Sequence, residues 1–285
     1  MRLGAHTSIA GGLHKAIELS KTFNGTALQI FSKNNNQWTG KPLTDKAVDQ
    51  WSQAVSESPI PLEATAIHDS YLINLCSNNP DTFGKSYTAF VDEHRRAERL
   101  GIRLMIFHPG AAMDKDRDSA IAIIAEQVNK VHEETTTLST ISVLETTAGQ
   151  GTTIGYRFEE LADIIDKIDD KNRVAVCLDT CHVYAAGYDI STEDGYHETM
   201  ETFDGLIGLD KLVLFHLNDS KRELGSRVDR HEHIGKGHIG EVAFRMLMTD
   251  DRFAEVPKII ETPKSTDLHE DVENLDLLRS FVPDS

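Results

Sequence analysis

The sequence predicts a closed (β/α)8 barrel, an α/β fold of one domain, and three observations carry the prediction. Eight short aliphatic and β-branched runs alternate with longer amphipathic segments from one end of the chain to the other. The length of 285 residues is a usual size for one such barrel. No Pro/Gly/Ser linker, low-complexity tract or short-period repeat divides the chain, so residues 1–285 read as one domain.

The elements follow in order. Strand one is expected at Arg2–His6, and the next segment, Leu13–Phe23, sets Leu13, Ala16 and Ile17 on one helical face. Strand two is expected at Ala27–Phe31, with a helix at Asp45–Val55 that repeats Val48, Trp51 and Val55. Strand three, Glu63–His68, precedes the long helix Thr82–Leu100; strand four, Leu104–His108, precedes Ser119–Thr135, where Ile121, Ile124, Val128 and Val131 recur at three and four. Strand five, Ser142–Glu145, leads to Phe158–Ile168, and strand six, Val174–Asp179, to Tyr196–Leu206. Strands seven and eight, Leu212–His216 and Lys258–Glu261, are followed by helices at Val242–Met248 and near Leu268–Phe281. An open doubly wound sheet is disfavoured: no Gly-x-Gly-x-x-Gly follows the first strand, and Gly149-Gln-Gly151 is too short a match.

Composition narrows the function. Hydrophobic residues at 39% and charged residues at 26% suit a large core under a polar surface and exclude disorder, collagen and coiled coil. No apolar run nears the ~20 residues of a membrane span, and the first residues lack a signal-peptide pattern, so no membrane partner and a cytoplasmic location are expected. Three cysteines, Cys76, Cys177 and Cys181, make no disulfide framework and read as core filler. With 29 Lys and Arg against 46 Asp and Glu, the net charge of −17 argues against a polyanion partner, unless carboxylates face inward onto bound cations.

Barrel chemistry sits at the C-terminal strand ends. Those ends are His6, His68, His108, Glu145, Asp179, His216 and Glu261; only strand two lacks an acid or imidazole there. Taken singly, a strand-end His is more often a hydrogen-bonded structural residue, and an Asp or Glu a helix cap. Together, carboxylates cannot share one dehydrated cavity without compensating cations, so more than one divalent metal is expected, with Glu145 on the middle strand as a natural bridge. Nitrogen and oxygen donors without thiolate suit Zn²⁺, Mn²⁺ or Fe²⁺ at a hydrolytic site. His182, three residues past Asp179 at the start of a loop, and Asp229-x-His231 in an extended loop make a coherent further trio. His14, His94, His132, His197 and His269 fall on outer helices and are expected to be solvated.

Four stretches carry a resemblance: His68-Asp-Ser-Tyr-Leu-Ile-Asn74; Leu144-Glu-Thr-Thr-Ala-Gly-Gln-Gly151; Cys177-Leu-Asp-Thr-Cys-His-Val-Tyr-Ala-Ala-Gly-Tyr-Asp189; and His216-Leu-Asn-Asp-Ser, with Asp229-Arg-His231 and Gly235-Lys-Gly237. Over essentially its whole length the chain resembles the endonuclease IV family, the type 2 apurinic/apyrimidinic endonucleases. The resemblance implies three zinc ions per chain, with Mn²⁺ a possible substitute: one at His68, His108 and Glu145, a second at Glu145, Asp179, His216 and Glu261, a third at His182, Asp229 and His231. It implies cleavage of double-stranded DNA 5′ to an abasic site, leaving a 3′-hydroxyl and a 5′-deoxyribose phosphate, and trimming of blocked 3′ ends; a monomer is expected. Glu145 and Glu261 are the implied catalytic carboxylates.

Tyr71 and Leu72 resemble the family's residues that fill the gap left by a flipped nucleotide, and Ser32–Trp38 its minor-groove wedge. Asn36 stands where well-known members have arginine, which leaves phosphate contact to Lys33, Lys221, Arg227 and Arg230 and implies weak, salt-sensitive binding. A sugar isomerase or epimerase of the same barrel superfamily is the alternative, and it would need neither His182 nor Asp229-x-His231. A DNA-binding protein without catalysis would require a missing ligand, and none is missing.

Overall fold

A computed structural model describes residues 1–136 and 138–283 of the chain. In chain order its main elements are β1 (Leu3–Thr7), α1 (Leu13–Ser20), β2 (Ala27–Phe31), α2 (Asp45–Ser56), β3 (Thr65–His68), α3 (Pro80–Arg99), β4 (Leu104–Phe107), α4 (Arg117–Glu134), β5 (Ile141–Glu145) and α5 (Phe158–Lys167). They continue as β6 (Val174–Asp179), α6 (Thr180–Ala186), α7 (Glu193–Leu206), β7 (Leu212–His216), β8 (Asp219–Ser220), β9 (His231–Glu232), α8 (Glu241–Thr249), β10 (Lys258–Ile260) and α9 (His269–Ser280). Parallel pairing closes the ring β1-β10-β7-β6-β5-β4-β3-β2, the predicted (β/α)8 barrel, while β8 and β9 form a small antiparallel ribbon outside it.

Caps decide where the helices start. Asn79 accepts from the Thr82 amide with Pro80 in the first turn, and Asp116 accepts from Ser119. These two helices therefore begin two residues earlier than their apolar periodicity indicates. Gly4 allows the barrel to close where it does: a Cβ there would lie 1.8 Å from the Ala27 carbonyl oxygen, so β1 and β2 approach only over a bare backbone.

Two apolar layers follow from the two-residue period of the strands. The outer layer joins strands to helices through Ile17, Trp51, Phe90, Phe107, Phe158, Phe203 and Phe244. Inside the barrel lie smaller side chains, Ala27, Ala66, Ile106, Val143, Ala175, Cys177, Leu214 and Ile259. One pleat further along each strand, the same inward face reaches Gln29, His68, His108, Glu145, Asp179, His216 and Glu261. The alternation that fills the barrel thus delivers the polar residues to its mouth.

Candidate metal centre

The nine residues expected to bind metal form three groups, in each of which one ligand atom per residue lies within 4.8 Å of all the others: His68, His108 and Glu145; Glu145, Asp179, His216 and Glu261; and His182, Asp229 and His231. Glu145 joins the first two. Its Oε2 lies 3.0 Å from His68 Nε2 and 3.3 Å from His108 Nε2, and its Oε1 lies 2.9 Å from His216 Nδ1 and 3.3 Å from His182 Nδ1.

The third group depends on an element the sequence reading placed as loop. Helix α6 starts directly at the end of β6, because the Asp179 side chain caps it by accepting from the His182 amide at 2.9 Å. His182 therefore sits in a buried first turn, with Nε2 3.2 Å from Asp229 Oδ2. Seven residues of helix between strand and loop gave too short a pattern to register as periodic. The loop bearing Asp229 is docked by Gln150, whose Oε1 accepts the Asp229 amide at 3.0 Å.

Four imidazoles are oriented from behind. Nδ1 of His68 donates to the Asp69 carbonyl (2.9 Å), Nδ1 of His182 to the Thr146 carbonyl (2.8 Å), and Nδ1 of His231 lies 3.3 Å from the Glu261 carbonyl. His216 is turned the other way, its Nε2 2.7 Å from Gln29 Oε1. In each ring the remaining nitrogen faces carboxylates, which is how metal-binding histidines are held. Asn218 donates to Asp179 Oδ2 at 2.7 Å and accepts the Glu261 amide at 2.8 Å. Gln29, Thr146 and Asn218 were not singled out from the sequence, although Thr146 and Asn218 lie inside the quoted motifs; Gln29 had one signal, an amide in an otherwise apolar strand.

The electrostatics show a cavity that needs positive charge. Burial works against the charged form of Glu145, yet the imidazoles of His216 and His108 hold its carboxyl well below the usual range. Burial likewise disfavours protonated His68, but the hydrogen bond and charge of Glu145 push it up to about 10. His182 and His216 are also raised against burial, the former by Asp179 and Asp229, the latter by Glu261 and Glu145. Protons on imidazole supply the charge the carboxylates require, and divalent cations at the same atoms would replace them. Nitrogen and oxygen donors in all three groups fit that substitution. Cys181 can be grouped with Asp179 and His231, but burial pushes its thiol up to about 12, which leaves it protonated. All three cysteines are buried and free.

Around the mouth, Tyr71 is 64% exposed, with its ring 5.9 Å from His68 and 5.4 Å from Phe31, and Leu72 beside it is half-buried. A cavity of about 270 Å³ opens between Tyr71, His68, His108, Asn74 and Thr153. Asn36, Lys221, Arg227 and Arg230 are exposed. Lys33 corrects the reading that made it a phosphate contact: it is buried, and its ammonium is bound by Glu93, with Asp92 3.6 Å away. Ser32 and Arg96 complete this knot under the loop after β2. His94 and His132, expected to be solvated, are buried too, each 2.9 Å from Ser142 Oγ.

Residues 17–281 match the profile of the xylose isomerase-like TIM barrel family. A probable endonuclease 4 from Trichlorobacter lovleyi is 47% identical, with 98% of this chain and 99% of that protein covered. An apurinic-apyrimidinic endonuclease from Caenorhabditis elegans is 45% identical over 92% of this chain and 66% of its own length. The crystal structure of endonuclease IV from Thermus thermophilus superposes with a TM-score of 0.86 at 35% identity, covering 99% of this chain and 98% of that one.

Proposed function

The chain belongs to the endonuclease IV family of apurinic/apyrimidinic DNA-repair endonucleases, and from that premise we propose that it hydrolyses the phosphodiester 5′ to an abasic site at a centre of three zinc ions. The products would be a 3′-hydroxyl and a 5′-deoxyribose phosphate, and the same site would trim blocked 3′ ends. The observation that carries the reading is the position of Glu145, whose two oxygens face the two donor groups it shares while the third group stands beside them.

His68, His108 and Glu145 would hold one ion; Glu145, Asp179, His216 and Glu261 a second; His182, Asp229 and His231 a third. Bound there, the cations would supply Lewis acidity, lowering the pKa of a water and neutralising charge on the phosphodiester; Mn²⁺ could substitute for zinc. Glu261, 16% exposed at the mouth where Asp179 is fully buried, would orient an attacking water and take its proton. Tyr71, exposed above His68 with Leu72 beside it, suits the gap left by an extruded abasic nucleotide. Asn36 and Arg230, both exposed, would meet the DNA backbone, helped by the exposed Lys221 and Arg227. With a net charge of −17, binding would rest on few cations and weaken steeply with salt.

Residues 1–285 are read as one barrel domain. All nine donors come from one chain, which suits a monomer, and the reading places it in the cytoplasm. Among the described residues no helix is long and apolar enough to cross a membrane.

Incubating the zinc-loaded protein with a duplex oligonucleotide bearing one abasic site tests the reading. A nick on the 5′ side with an extendable 3′-hydroxyl is expected; an intact strand, or cleavage on the 3′ side by elimination, would overturn it.

A further inference from the structure

Among the described barrel strands, β2 carries no acid or imidazole within one residue of its end, yet it reaches the centre through Gln29. Gln29 is fully buried, in register with His6 of β1, and faces the barrel interior one pleat above Ala27. Its Oε1 lies 2.7 Å from His216 Nε2; its Nε2 lies 2.7 Å from Glu261 Oε1 and 2.9 Å from His6 Nδ1.

These contacts fix the amide. Reversing it would set an N–H donor against the imidazole N–H and an oxygen against the Glu261 carboxylate, so the orientation with both groups satisfied is the one present. The acceptor holds hydrogen on His216 Nε2 and leaves Nδ1, which faces Glu145 and Glu261 at 2.9 and 3.3 Å, as the nitrogen whose proton a cation would displace. The donor holds Glu261 by one oxygen, while the other lies toward His216. One side chain therefore aims two donors of the group formed by Glu145, Asp179, His216 and Glu261. His68, His182 and His231 lean on backbone carbonyls, which no substitution removes, whereas His216 leans on a side chain.

We propose that Gln29 is a positioning residue for this metal group, selecting the tautomer of His216 and orienting Glu261 so that both present lone pairs to the same cation. The inference rests on the reading of that group as a zinc site. Outer partners of this kind typically change metal affinity by about 10- to 100-fold.

Zinc titrations of the metal-free protein at buffered free zinc would test it, with Gln29→Met, which keeps the volume and removes both hydrogen bonds, and Gln29→Glu, which keeps the acceptor but opposes Glu261. One binding step is expected to weaken by about 10-fold or more in each variant. The thermal midpoint of metal-free Gln29→Met should fall, since His216 Nε2 and a Glu261 oxygen lose their buried partner; a role in core filling alone would leave both titrations unchanged. Wild-type-like zinc binding by either folded variant, with wild type itself binding zinc, would overturn the role of Gln29 alone. No zinc uptake by wild type would overturn the metal reading and this inference with it.

Discussion

His182 Nε2 and Asp229 Oδ2 lie 3.2 Å apart, although one belongs to the short helix after β6 and the other to the loop after β7. Their meeting separates this centre from one built on the barrel strands alone, because His182, Asp229 and His231 all stand beyond the strand tips or in the outer ribbon. His182→Ala is expected to lose one zinc per chain, leave the other group pair loaded, and lower incision at an abasic site by about 100-fold or more. Metal analysis alongside single-turnover kinetics checks both halves.

Tyr71 is 64% exposed, so Tyr71→Ala should change folding stability by no more than about 0.5 kcal/mol. Losing the ring that would fill the opened stack should weaken binding of abasic duplex by about 1–3 kcal/mol, near the value of a base–aromatic stack. Binding isotherms and thermal unfolding on one preparation would show the two effects apart.

Lys33 and Arg230 should respond in opposite ways. Lys33 is buried against Glu93, so Lys33→Met leaves a buried carboxylate unpaired and should cost about 3–5 kcal/mol of stability. Arg230 is exposed, so Arg230→Ala should leave stability nearly unchanged and reduce the slope of log affinity against log salt by about one. Urea unfolding and a salt series of DNA binding decide this.

The His94, Ser142 and His132 network makes the closed end of the barrel acid-sensitive. Burial lowers His94 to about 3 and His132 to about 4, so both stay neutral in the fold while the unfolded chain takes up protons below about 6.5. Their stabilisation is complete above about pH 6.5 and is lost as pH falls through the window toward those lowered values. Relative to His94→Gln, the metal-free wild type should lose about 1.4 kcal/mol more per pH unit across that window. Equal slopes in urea unfolding from pH 6.5 to 4 would contradict it.

Much of this was legible because barrel geometry and metal chemistry use short-range rules. A two-residue period ending in His68, Glu145, Asp179 or His216 places each donor from local sequence alone, and the strands fall within two residues of their expected bounds. What was not legible depends on contacts distant in sequence. Lys33 looks like a surface cation until Glu93, from α3, is packed beneath it. His94 and His132 look solvated on their helices until Ser142 of β5 meets both rings. Gln29 carries no metal-ligand signature, and its role emerges only when β7 and β10 bring His216 and Glu261 to either end of its amide.

The most direct test is the number of zinc ions held. Equilibrium dialysis of the purified wild type against buffered zinc, followed by elemental analysis, is expected to give about three ions per chain, one for each donor group. Two or fewer at saturation would contradict the trinuclear centre, whatever activity the protein showed.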